Sequence, residues 1–438
     1  MNDSSPPFLF DLAETQSSPP RGVAPGKPRI EEPRREQCEM RFANPDDMVP
    51  EGHQARTLWN VLGTLDLSEF VAKSESVEGK PGRSLKSPRM LLTLWLYAIA
   101  QGIGSAREIA RLAKSDLAYR WIVGDLDVGH HKLSQFRVGH GEALSTLMTD
   151  VLATLMEKGL LSLELVAQDG TRTRAAATGP SFRTYGSLLE CREQAALHLK
   201  AVLAAAGDPE YTKAQHARRA ATARDFQHRV EAAIATVVEL QKRRRRSDGP
   251  ARASTTDADA RFMKMPDGGL QAAYNVQYAV AGSELGGART VVGVQVTNIG
   301  SDMGCLTPMS EQIEERTGEL PKTVLADGGH CKSGDIVELR SRGVDVLVPP
   351  PKTAYPIEQL RQEGADPEVI AWRERMETAE AKQIFRARAG LCELTNAHQK
   401  EHHSIQQFLV KGIPKVTCVV LLSALTSNLL QHASNILH

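Results

Sequence analysis

Two stretches of this 438-residue chain share one local layout: a short apolar run, an aspartate, then glycine. They are Val166-Ala167-Gln168-Asp169-Gly170 and Val324-Leu325-Ala326-Asp327-Gly328-Gly329. An isolated Asp-Gly is ordinarily a turn. Two of them at strand ends bring two carboxylates together if the strands are neighbours in a sheet. Oxygen ligands of this kind suit hard divalent cations that keep some waters for a substrate. A third carboxylate from a helix would complete a site for two ions about 3.5–4 Å apart, able to stabilise both oxygens of an in-line phosphoryl displacement. A helix expected over residues 374–400 carries Glu377, Glu380 and Glu393, with Glu401 just beyond, and spacing alone does not choose among them.

The elements that must position these groups follow from periodicity. Residues 1–45 are rich in Pro, Ser, Arg and Glu and bury too little apolar surface to order, so they read as a disordered arm. Residues 46–160 form a helical domain: Leu91, Leu92, Trp95, Leu96 and Ile99 line one helix face behind Pro88, and Ser105 with Glu108 has capping-box spacing. Residues 161–438 alternate strands with helices. A strand over 161–167 runs into Asp169, and an Ala-rich helical hairpin is inserted at 186–248, broken at Gly207-Asp208-Pro209. Strands at 272–281 and 289–297, a helix at 311–317, a strand at 322–326, a helix at 335–342 and a strand at 344–348 precede the 374–400 helix. The order is α/β, compatible with a mixed five-stranded sheet of the ribonuclease H type, though pattern alone does not separate that from other α/β layers.

Composition narrows the setting. With 53 basic and 53 acidic residues the formal charge is zero, so any nucleic-acid affinity rests on local patches. Six scattered cysteines without a Cys-x-x-Cys pair read as reduced thiols of a cytoplasmic protein. No secretory signal is expected at the start. The apolar stretch 416–437 is interrupted by Ser423, Thr426, Ser427, Asn428, Gln431 and His432, which fits a packed C-terminal helix better than a membrane span.

Seven sequence words, in order, resemble bacterial insertion-sequence transposases of the DDE class. They are LLTLWLYAIAQGIGSAREIARL (91–112), AYRWIVGDLDVGHHKLSQFR (118–137), VAQDGTRTRAAATGPSFR (166–183), STTDADARFMKMPDGGLQAAYNVQYAV (254–280), VTNIGSDMGCLTPM (296–309), VLADGGHCKSGDI (324–336), and CELTNAHQK with FLVKGIPKV (392–416). The resemblance covers roughly residues 85–435 and implies a ribonuclease H-like catalytic domain after an N-terminal helical domain. It implies Asp169, Asp327 and Glu393 as the catalytic, metal-binding carboxylates of a site for two Mg²⁺ or Mn²⁺ ions. It further implies binding of the element's terminal inverted repeats, strand cleavage and transfer to target DNA, and a homodimer on DNA. His330 departs from the pattern, standing where the family has an aromatic Tyr after Asp-Gly-Gly.

Further residues complete the expectation. Arg172, Arg174 and Arg183 adjoin Asp169 and suit phosphate contact. Lys242, Arg243, Arg244, Arg245 and Arg246 form a cationic run that either tracks a DNA backbone or ends a solvated helix. Arg107, Arg111, Lys114, Arg120, His130, His131, Lys132 and Arg137 make the helical domain basic, with Lys132 and Arg137 as DNA contacts. Asn396, on the face of Glu393, either orients the carboxylate or touches DNA. Asn298 and Asp302 follow a strand near the site; a turn or cap is the reading for Asp302, a fourth carboxylate the alternative. Trp95, Tyr97 and Trp121 are expected in the core. A metal-dependent nuclease that does not join strands and a lapsed, purely DNA-binding transposase are the rival functions.

Overall fold

The computed structural model describes residues 44–72, 84–205, 211–243, 249–282 and 287–437. The arm up to residue 43, the break at 207–209 and the cations Arg244, Arg245 and Arg246 lie outside the described residues. Residues 44–437 belong to one compact unit.

The first part is helical: α1 (Gln54–Thr64), α2 (Glu69–Ala72), α3 (Pro88–Ala100), α4 (Ala106–Ser115), α5 (Leu117–Val123), α6 (His130–Gly139) and α7 (Gly141–Glu157). Ser87 caps α3 and Pro88 occupies its first turn, where no amide is missed. Every residue from Met90 to Ile99 is buried, so this helix is enclosed on all sides rather than along the one face expected. Ser105 accepts from the Glu108 amide at 3.4 Å. The Glu108 carboxylate turns to Arg111 instead of closing the capping box. Trp95 and Tyr97 are core residues. Trp121 is only partly buried, because its indole N–H reaches out to Asp46 at 2.9 Å.

The strands are β1 (Leu165–Arg174), β2 (Phe182–Thr184), β3 (Arg252–Ser254), β4 (Arg261–Lys264), β5 (Leu270–Ala281), β6 (Thr290–Thr297), β7 (Thr323–Ala326) and β8 (Asp345–Leu347). The main sheet has six strands, one more than expected, in the order β4-β5-β1-β7-β8, with β6 also paired to β5. β5 is antiparallel to β1, β4 and β6; β7 is parallel to β1 and to β8. The helical hairpin appears as α8 (Tyr185–Ala204) and α9 (Lys213–Arg243), packed on each other. The β2–β3 pair, absent from the sequence reading, ties the two ends of this insertion together.

Later helices are α10 (Leu306–Thr317), α11 (Ser333–Ser341), α12 (Ile357–Gln362), α13 (Pro367–Glu377), α14 (Ala379–Phe385), α15 (Leu394–Glu401) and α16 (Ile413–Leu437). The single helix expected over 374–400 is therefore broken twice. Thr378 takes extended backbone and caps α14 by accepting from the Ala381 amide. A five-residue π-helical turn, Ala389–Glu393, then precedes α15.

α16 packs against α1, α3, α6, α7 and β6. By length and composition it alone, among the described residues, could cross a membrane. Its apolar side chains are instead spent inside the protein, in one core running from Val49 to Ile436 across residues 160 and 161. The polar residues that interrupt it have partners. Asn428 exchanges two hydrogen bonds with the Val291 backbone, at 2.9 and 2.8 Å, and His432 meets Thr290 Oγ1 at 2.8 Å. The start of the helix is fixed by the Asp-Ala-Asp stretch before β4. Asp257 accepts from the Gly412 amide and from the Tyr274 hydroxyl, and Asp259 accepts from the Ile413 amide.

Candidate active site

Asp169 lies inside β1, not at its end as its Asp-Gly suggested. The strand continues through Thr171, Arg172, Thr173 and Arg174, because β5 pairs with it all the way to Arg174. The parallel register of Gln168 with Ala326 sets Asp169 and Asp327 one residue further on, on neighbouring chains about 4.8 Å apart. Gly170 permits the packing beside them. A Cβ there would stand 2.1 Å from Gln277 Nε2 and 2.3 Å from Asp302 Oδ1.

Each carboxylate has its own holder. Asn396 Nδ2 donates to Asp169 Oδ2 at 3.1 Å, and the Gly170 amide to Oδ1 at 2.9 Å. Burial raises the Asp169 pKa, with the Asp327 charge adding to it and Arg388 opposing. Asp327 Oδ1 accepts from the Gly329 amide at 3.0 Å and meets His330 Nδ1 at 2.8 Å. The His330 hydrogen bond is the main cause that lowers the Asp327 pKa. Glu393, on the π turn, is largely exposed and meets Arg388 Nη2 at 3.0 Å. Arg388 Nη1 lies 3.7 Å from Asp169 Oδ2, so one guanidinium joins Glu393 to Asp169.

Behind the carboxylates lies a closed polar network. Asp302 opens a turn, its carbonyl accepting from the Cys305 amide at 3.2 Å, while its buried carboxylate accepts from Asn275 Nδ2 (2.7 Å), Gln277 Nε2 (2.6 Å) and Arg172 Nη2 (2.9 Å). Gln277 Oε1 in turn meets Gln168 Nε2 at 3.2 Å and His330 Nε2 at 2.9 Å. His330 is fully buried, with one ring nitrogen on Gln277 and the other on Asp327. Carboxylate oxygens are the donors that Mg²⁺ and Mn²⁺ prefer, so the residue types fit such ions. Among the described residues no three His, Cys, Asp or Glu side chains are already grouped to ligate one ion. The cation presently between Asp169 and Glu393 is Arg388.

The remaining expected residues separate into two sets. Arg172 turns inward to Asp302 and the Gly300 carbonyl, and so is not a free phosphate ligand. Arg137 is 6% exposed, stacks over Trp95 and donates to the Gly104 carbonyl, so it does not face outward from the helical part. Asn396 is likewise buried, and its amide is engaged by Asp169 rather than presented to DNA. Exposed are Arg174, 3.8 Å from Asp267, Arg183 on β2, and Lys242 and Arg243 at the end of α9, with Lys242 paired to Glu239. Lys132 is half-buried on α6. Sequence reasoning missed Arg388, Gln277 and Asn275. The alternation of Asn275 and Gln277 with apolar residues on β5 was the available signal, since polar side chains inside a buried strand need partners.

Two family models match the chain. A transposase domain, DUF772, matches residues 43–138, and a transposase DDE domain matches residues 357–433, which include Glu393. No curated protein and no solved structure matches. The two domain matches, which together span less than half of the chain, support an insertion-sequence transposase of the DDE class.

Proposed function

We propose that this transposase binds the terminal inverted repeats of its element, cleaves there and joins the freed 3′-hydroxyl to target DNA. Asp169, Asp327 and Glu393 are its catalytic carboxylates. The observation that carries this reading is that Asp169 on β1 and Asp327 just past the parallel β7 stand side by side, with Glu393 joined to Asp169 through Arg388. The strand order β6-β5-β1-β7-β8, antiparallel across its first three members and parallel across its last three, supports a ribonuclease H-like catalytic domain over 161–438. The helices of residues 46–160 then form the DNA-binding domain, with the hairpin inserted in the catalytic one.

When bound, a pair of Mg²⁺ or Mn²⁺ ions supplies charge stabilisation for the attacking and leaving oxygens. The chain's own contribution is to hold the acids still. Asn396 fixes the Asp169 carboxylate, and His330, locked by Gln277, fixes that of Asp327. Arg174, Arg183, Lys132, Lys242 and Arg243 supply phosphate contacts that set register and add salt-dependent affinity. Two protomers, acting in the cytoplasm, bring the two element ends together.

The test is a cleavage and joining assay on duplexes carrying the element ends. Asp169→Asn, Asp327→Asn and Glu393→Gln should each lower cutting by about a thousandfold, the scale of losing a central electrostatic group. Cutting that persists in a folded Asp169→Asn protein refutes the assignment.

A further inference from the structure

The turn Gly102–Ser105, the end of α6 and the segment His403–Leu409 enclose a cavity of about 480 Å³. Arg137 lines it. Its guanidinium lies 4.7 Å from the Trp95 ring centroid, Nη1 donates to the Gly104 carbonyl at 2.7 Å, and Nε has no partner. Burial pushes the Arg137 pKa down to about 10, and no carboxylate opposes that. A buried cation without a counter-ion is costly, and the tie to Gly104 requires only a neutral donor.

The rest of the lining leaves this charge uncompensated. Lys400 of α15 is a second cation on the wall. Glu108 lies on the wall as well, but both its oxygens are taken by Arg111. His403 is held neutral, its pKa lowered by burial to about 3. Glu401 is exposed at the rim.

One wall of the cavity is hydrogen-bonded to the strand that carries Asp169. The backbone of Arg174, which ends the strand of Asp169, donates to the Gln406 carbonyl at 3.3 Å and accepts from the Phe408 amide at 2.9 Å, so the end of β1 is fastened to the segment that lines the cavity. Lys400 is close enough to Asp169 and Arg172 to feel both charges.

We propose that this cavity binds a phosphate group, with the Arg137 guanidinium as its buried counter-charge and Lys400 as a second cation. The inference rests on the DNA reading above for its source: the phosphate is one carried by the strand that passes the acidic centre. A volume of about 480 Å³ leaves room for the attached sugar.

The experiment uses the full chain and two probes. Thermal unfolding is followed with inorganic phosphate against chloride at matched ionic strength, and affinity is measured for duplex element ends. Phosphate should raise the wild-type midpoint, Arg137→Lys should keep part of that rise, and Arg137→Gln none. Gln407→Glu, which adds a carboxylate at the exposed wall and leaves Arg137 and its Gly104 contact in place, should also abolish it. It serves if Arg137→Gln fails to fold. Arg137→Gln should bind end DNA about tenfold more weakly, the usual cost of one charged hydrogen bond. An equal phosphate response in wild type and both variants overturns the site. A lost phosphate response with unchanged DNA affinity overturns the DNA strand as its source in favour of free phosphate. A wild-type protein that responds to phosphate but neither binds nor cuts end DNA refutes the proposed function instead.

Discussion

Two regions of this protein bury polar side chains, and they do so to different ends. Along α16, Asn428 closes on the Val291 backbone and His432 on Thr290, so their bonding capacity is used up in fastening a helix to a sheet edge. Between β1 and β5, the chain of Gln168, Gln277, Asn275, Asp302 and His330 ends on Asp327, a carboxylate that is half open to solvent. Buried polar groups that close on backbone or on a neighbouring hydroxyl are struts. A network that ends on an accessible acid fixes that acid for a ligand.

Substitutions in the two regions should therefore separate stability from activity. Gln277→Ala removes the link between His330 and Asp302 and should lower DNA cutting by about 10–100-fold, the range for outer-shell partners of metal ligands. Leu425→Ala, in the middle of α16, should cost about 2–5 kcal/mol in denaturant unfolding while the folded fraction cuts at the wild-type rate. If both variants lose stability and specific activity in equal measure, the distinction between strut and positioning network fails.

The apolar half of this comparison was legible in the sequence and the polar half was not. Helices such as α3 and α16 announce themselves by local apolar spacing, and the Asp327 strand end was readable from Val324-Leu325-Ala326. Asp169 looked like a strand end because Gly170 follows it. Only pairing with β5, about a hundred residues away, keeps that strand going. The expected long helix over Glu393 breaks at Thr378, a cap, and at a π turn that a helical period does not reveal. Arg137 looked outward by composition and lies inward by packing, and only the position of Trp95 decides that. Arg388 and Gln277 act through partners far along the chain, which no local window contains.

A smaller effect should appear on acidification. His403 in the folded protein stays neutral to about pH 3, whereas its ordinary value is 6.5, so below that value the unfolded chain takes up a proton that the native state refuses. Stability is full above about pH 6.5 and falls toward pH 3, by at most about 1.4 kcal/mol per pH unit from this residue. Urea melts at pH 7.5, 6 and 5 measure the slope, and His403→Gln should flatten it. The smallest expected change is at Arg388. Arg388→Ala removes the cation that now joins Asp169 to Glu393 and should tighten Mn²⁺ binding by about three- to tenfold. Binding that weakens would make Arg388 a support of the site rather than a competitor for it.

Direct Mn²⁺ titration of the intact protein, followed by calorimetry or electron paramagnetic resonance, bears most closely on the central claim. The wild type should bind, and Asp169→Asn, Asp327→Asn and Glu393→Gln should each weaken binding by about tenfold or more. Glu393→Gln binding as tightly as the wild type would contradict a centre shared by all three acids.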